Sequence, residues 1–156
     1  MKKVKKIYLS GDHAGFKIKA SIRPWLEKQG YAVEDCGPFE YDKEDDYPDF
    51  VIPMAKKVSK DKNSRGIIIA GSGQGEVIAA NRINGVRTVL YYGSLKPSAN
   101  RLLKLSRAHN NSNVLSLGTF FMKEKEIKNS IKIWLKAPFS NETRHERRLK
   151  KIDKLK

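Results

Sequence analysis

Residues 66–82 read GIIIAGSGQGEVIAANR. Gly66–Ala70 is a compact apolar run of strand length, rich in β-branched side chains. The segment GSGQG then turns the chain, and Glu76–Ile83 has the composition of a helix, broken by Asn84-Gly85. A buried strand that passes through a glycine turn straight into a helix is the repeating unit of a parallel α/β sheet.

The same alternation extends both ways. Upstream, Val4–Leu9 reads as a strand leading into Ser10-Gly11-Asp12-His13-Ala14-Gly15. Phe16–Gln29 follows as a helix with Ile18, Ile22, Trp25 and Leu26 on one stripe, in which Pro24 predicts a kink or a late restart. Gly30 ends it, Tyr31–Asp35 is a short second strand, and an acidic loop runs on to Asp46. Asp49 is placed to cap a helix reaching about Ser59. Downstream, Val86–Tyr91 and Asn113–Leu117 are strands, with a helix from Ser98 to about Ala108 between them. Ile127, Ile131 and Leu135 mark a long helix that Pro138 closes. A charged helix over about 142–155 has Leu149, Ile152 and Leu155 as its packing face and can reach toward a neighbouring copy. The expectation is one domain over 1–156, with a five-stranded, mostly parallel sheet and right-handed crossovers.

A chain of 156 residues supports one hydrophobic core. Lys and Arg number 32 against 17 acids, for a net charge of +15, which raises the question of nucleic acid. Eight of the acids fall in residues 34–49, so the positive excess lies elsewhere, with basic runs at both ends. No Arg/Lys–aromatic module of the RNA-binding kind is visible. No stretch approaches a membrane span, and the basic start MKKVKKIYLS lacks a long apolar core, so a cytoplasmic protein is expected. Cys36 is the single cysteine; it can form no internal disulfide and reads as a half-buried small residue.

Several short features can carry chemistry, each with a bland alternative. The GSGQG turn brings backbone N–H groups and a helix N-terminus together, which suits phosphate or a developing oxyanion; it also suits a tight structural turn. It lacks the GK[ST] of a phosphate-binding Walker loop. Glu76 in the first helical turn either complements the helix dipole or serves as a general base beside those donors. Asp12-His13 follow the first strand, and His109-Asn110 follow the fourth helix. Each histidine is either a polar surface or capping group or an acid/base, and the three in the chain lack metal-ligand spacing. Arg144 and either Arg147 or Arg148 share a helical face, as a phosphate clamp or a solubilising surface.

Taken together, SGDHAG, Asp46-Tyr47-Pro48, GSGQGEVIAANR, RAHNNSNV and RHERR occur in an order that resembles the ribose-5-phosphate isomerase B / galactose-6-phosphate isomerase subunit family. The resemblance covers almost the whole chain. It implies a Rossmann-like three-layer α/β/α fold, catalysis without metal or organic cofactor, and homodimers or homotetramers whose sites are shared between subunits. In many members the proton-transferring base is a cysteine just before the glycine turn, where this chain has Ala70. A second branch uses a glutamate directly after the turn, and Glu76 matches it.

The roles implied are these. His109, supported by Asp12, opens the sugar ring. Glu76 moves the proton between C2 and C1 through a cis-enediolate, with the amides from Gly71 through Gly73 and Gln74 to Gly75 holding the oxyanion and Ser72 assisting. Tyr47 and Asn110 contact the sugar, and His13, Arg144 and Arg148 take the phosphate. The expected reaction interconverts D-ribose 5-phosphate and D-ribulose 5-phosphate. The alternatives are a six-carbon substrate, allose or galactose 6-phosphate, or a non-catalytic phosphate- or nucleic-acid-binding module. One departure stands out: Phe120 occupies the place of a phosphate-binding arginine, with Lys123 as a possible substitute cation.

Overall fold

The computed structural model describes residues 4–93 and 97–155. Five strands form one sheet in the order β2-β1-β3-β5-β4, with β1 Lys6–Gly11, β2 Ala32–Asp35, β3 Ser64–Ala70, β4 Thr88–Tyr91 and β5 Val114–Gly118. Every pairing is parallel. The helices are α1 Phe16–Lys28, α2 Pro48–Lys60, α3 Gln74–Ala80, α4 Pro97–Ala108, α5 Glu124–Lys136 and α6 Thr143–Ile152. The three-layer α/β/α expectation holds.

The central strand shows why. Successive side chains of β3 alternate between two apolar cores, so its run of isoleucines is buried on both faces. Ile67 and Ile69 pack with Ile22 and Leu26 of α1, Leu103 of α4, and Ile127, Ile131 and Trp134 of α5. Ile68 and Ala70 face the other way, onto Val51, Met54 and Val58 of α2 and Ala80 of α3. The helices that leave β1 and β3 thus go to opposite sides of the sheet. Their diverging turns open a crevice at the carboxyl ends of those two strands, where open α/β sheets bind ligands.

Local departures have simple causes. Pro24 lies inside an unbroken α1, on its exposed side, where the carbonyl it leaves unpaired can meet water. Pro48, not Asp49, opens α2, since proline at the first helical position gives up a donor that would be unpaired anyway. On α6 only Leu149 of the expected packing face is buried; Ile152 and Leu155 are exposed. Among the described residues no helix is long and apolar enough to cross a membrane.

Candidate functional site

Asp12 follows β1, and its carboxylate accepts hydrogen bonds from the Gly71 N–H (3.0 Å to Oδ2) and the Gly15 N–H (2.8 Å). It therefore ties the β1–α1 turn to the glycine turn after β3. Gly15 permits that approach, because a Cβ there would overlap the Ile69 carbonyl. Gly73 adopts a left-handed φ of 73°, and its carbonyl accepts the Ser116 hydroxyl of β5 at 3.1 Å. Tyr47 lies against Gly75, where a Cβ would come within 2.6 Å of the phenol Cζ.

The row of free amides is shorter than the sequence suggests. The Gly71 N–H is taken by Asp12, and the Gln74 N–H points to Ser72 Oγ at 3.4 Å. The N–H groups of Ser72, Gly73 and Gly75 have no acceptor among the described residues. Glu76 stands beside them in the first turn of α3, with only 4% of its surface exposed. Burial raises its carboxyl to about 7; its own backbone N–H opposes this, and the negative charges of Asp12 and Asp45 add to it. A carboxylate poised near neutrality beside unpaired donors is equipped to move a proton next to a carbonyl.

His13 Nδ1 lies 2.7 Å from Asp45 Oδ1. That hydrogen bond holds the imidazole above the usual histidine range against the opposing effect of burial, so His13 is available as a cation. The Asp45 side chain is almost wholly buried, and its Oδ2 has no partner. Sequence reasoning missed Asp45. As one acid in an acidic run it carries no distinguishing mark, and only the fold singles it out.

His109, Asn110, Arg144 and Arg148 lie elsewhere. Helix α4 returns from the carboxyl edge of the sheet to its amino edge, so His109 sits beside the start of β5, where Gly66 donates to the Asn113 carbonyl at 2.9 Å. The strand segment from Gly66 to Gly71 separates this point from the glycine turn by roughly 17 Å. Within one chain, then, Asp12 does not support His109; it braces the glycine turn instead. The His109 ring packs 4.2 Å from that of His145, tilted by 32°. His145 is no surface group, being 2% exposed, with Nδ1 2.8 Å from Ser140 Oγ. Arg144 pairs with Glu142 at 2.8 Å, and Arg148 and Asn110 are exposed. Phe120 lies over the crevice: its N–H donates to the Gly71 carbonyl at 3.1 Å, and a Cβ on Gly71 would meet its ring at 2.8 Å. Lys123, at the start of α5, is exposed.

Comparison with known proteins agrees with the fold. The family model described as Ribose/Galactose Isomerase matches residues 7–152. Ribose-5-phosphate isomerase B of Mycolicibacterium paratuberculosis is 38% identical over 144 residues, 92% of this chain and 87% of that protein. The probable ribose-5-phosphate isomerase B of Mycoplasma genitalium is 39% identical over 147 residues, 94% of this chain and 92% of that one. The crystal structure of the Mycoplasma genitalium isomerase with bound ribulose-5-phosphate superposes with a TM-score of 0.87 at 36% identity, covering 97% of this chain and 95% of that chain. The match spans nearly the whole sheet and its helices, and the chain belongs to the ribose/galactose isomerase family.

Proposed function

We propose that the chain interconverts D-ribose 5-phosphate and D-ribulose 5-phosphate, in a site completed by a second copy of itself. The observation that carries this reading is Glu76, buried at the crevice with a carboxyl near neutral and unpaired amides around it. The name and bound sugar of the Mycoplasma genitalium structure support the choice of a five-carbon substrate.

The steps follow from the chemistry of each group. His109 of the partner copy donates a proton to the ring oxygen as the bond from C1 to that oxygen breaks, and the C1 hydroxyl gives up its own proton to water, leaving the free aldehyde. The Glu76 carboxylate removes the C2 proton; the electron pair forms the C1–C2 double bond and the aldehyde oxygen becomes an oxyanion. The N–H groups of Ser72, Gly73 and Gly75 hold that oxygen, with the Ser72 hydroxyl beside them. Glu76 then returns the proton to C1, the C2 oxygen gives up its own proton to the C1 oxygen, and the ketose forms. His13 with the partner's Arg144 and Arg148 binds the phosphate, and Tyr47 and the partner's Asn110 contact the sugar.

Glu76→Gln should abolish deuterium exchange at C2 while leaving the circular dichroism spectrum unchanged; retained exchange would assign the base elsewhere. A coupled assay with ribose, allose and galactose 6- or 5-phosphates should favour the pentose. Failure on all three sugars would overturn the enzymatic reading.

A further inference from the structure

Much of the positive charge has no part in the isomerase chemistry, and three of its members meet at one place. At the amino edge of the sheet, Arg65 of β3, Arg87 ahead of β4 and Arg107 of α4 gather around Asn111. Arg107 is 4% exposed and donates to Asn111 Oδ1 at 2.9 Å, to the Ala137 carbonyl at 3.4 Å and to the Ser112 carbonyl. Arg87 Nε donates to the Asn111 carbonyl at 3.2 Å, and its Nη1 lies 3.3 Å from Asp153. Asp153 is the one acid within ion-pair distance of any of the three among the described residues. Among the described residues Arg65 donates only to its neighbour's carbonyl, that of Ser64, at 2.6 Å. The Nη2 groups of all three have no acceptor among the described residues.

Burial and mutual repulsion lower the proton affinity of Arg65 and Arg107, the latter to about 9. Clustering like charges in a half-buried place costs free energy unless an anion joins them. Beside the cluster opens a cavity of about 550 Å³. Arg65, Arg107 and Lys136 line it with Asn111, no acid does, and Tyr31 and Phe139 supply aromatic wall. That volume lies within the usual range of small-molecule sites.

We propose that this cavity is a second anion site, separate from the glycine-turn crevice, that takes a phosphate ester carried on an aromatic body, of the size of a nucleoside phosphate. The Arg65 and Arg107 guanidinium groups and Lys136 meet the phosphate, and Tyr31 and Phe139 flank the ring. Isothermal titration of the intact protein with ADP tests it, with pyrophosphate and inorganic phosphate as comparison probes. ADP should bind saturably at one site per chain, more tightly than either inorganic probe. Arg65→Leu should weaken it at least tenfold with the isomerase rate unchanged. Lys136→Glu, on the exposed side of α5, should weaken it likewise and serves where Arg65→Leu fails to fold. Arg144→Ala should leave it unchanged. The proposal is overturned by no saturable binding of any probe, by equal affinity for phosphate and ADP, by affinity indifferent to Lys136→Glu, or by loss of binding in Arg144→Ala, which would put ADP in the catalytic site.

Discussion

Glu76 unites a catalytic opportunity with a stability cost. Folding raises its carboxyl from the ordinary 4.5 to about 7, so the folded chain binds this proton more tightly than the unfolded chain. The resulting stabilisation is complete below pH 4.5 and is lost as the pH rises through about 7, for a total of roughly 3 kcal/mol. Glu76→Gln cannot ionise. It should therefore unfold at higher denaturant than the parent at pH 8, with the advantage shrinking toward pH 5; a constant difference across that range would refute the linkage. His13 shows the opposite partnership. Its proton is held chiefly by the Asp45 hydrogen bond, with Asp12 and Glu44 contributing charge. Asp45→Asn should lower the His13 titration midpoint followed by NMR of its ring protons, and an unmoved midpoint would mean the pair does not form in solution. Glu76 was legible in the sequence because a first-turn carboxylate after a glycine turn has few uses. Asp45 and the buried His145 were not, since burial is a property of neighbours brought in from far along the chain.

At the level of elements, apolar runs of strand length and one-sided helical stripes sufficed to read the alternation and all five strands. Boundaries shifted by a residue or two where pairing partners, absent from local sequence, decide the end. Strand β1 runs on to Gly11 because β3 pairs with it there. Helix α6 shows the limit of periodicity: its apolar residues predict a face, but only Leu149 finds a surface to cover. The tightest joint is that between the β1–α1 turn and β3. Gly15→Ala should destabilise the fold by about 2–3 kcal/mol, measured by denaturant unfolding, because the added methyl must displace the Ile69 carbonyl or the turn that carries Asp12. A neutral result would show that this joint has slack.

The whole molecule divides its proposed chemistry between two ends of one sheet. The glycine turn and Glu76 stand at the carboxyl edge and His109 at the amino edge, and no motion short of unfolding brings them together. A sequence can list both groups; the sheet's length, which keeps them apart, appears only once strand directions are known. Glu76→Gln and His109→Ala, each inactive alone, should recover about a quarter of parental activity when co-refolded, since half the dimers are mixed and each holds one intact site. No recovery would overturn the shared site.

Strand order also has a consequence for how each copy is made. β3 pairs on one side with β1, which precedes it, and on the other with β5, which is synthesised some forty residues later. β4 cannot fill the gap, because it borders β5 alone. On the ribosome, at about 10 residues per second, the isoleucine-rich strand waits several seconds with an open edge. The finished enzyme conceals that edge completely, yet every nascent chain must carry it past its neighbours.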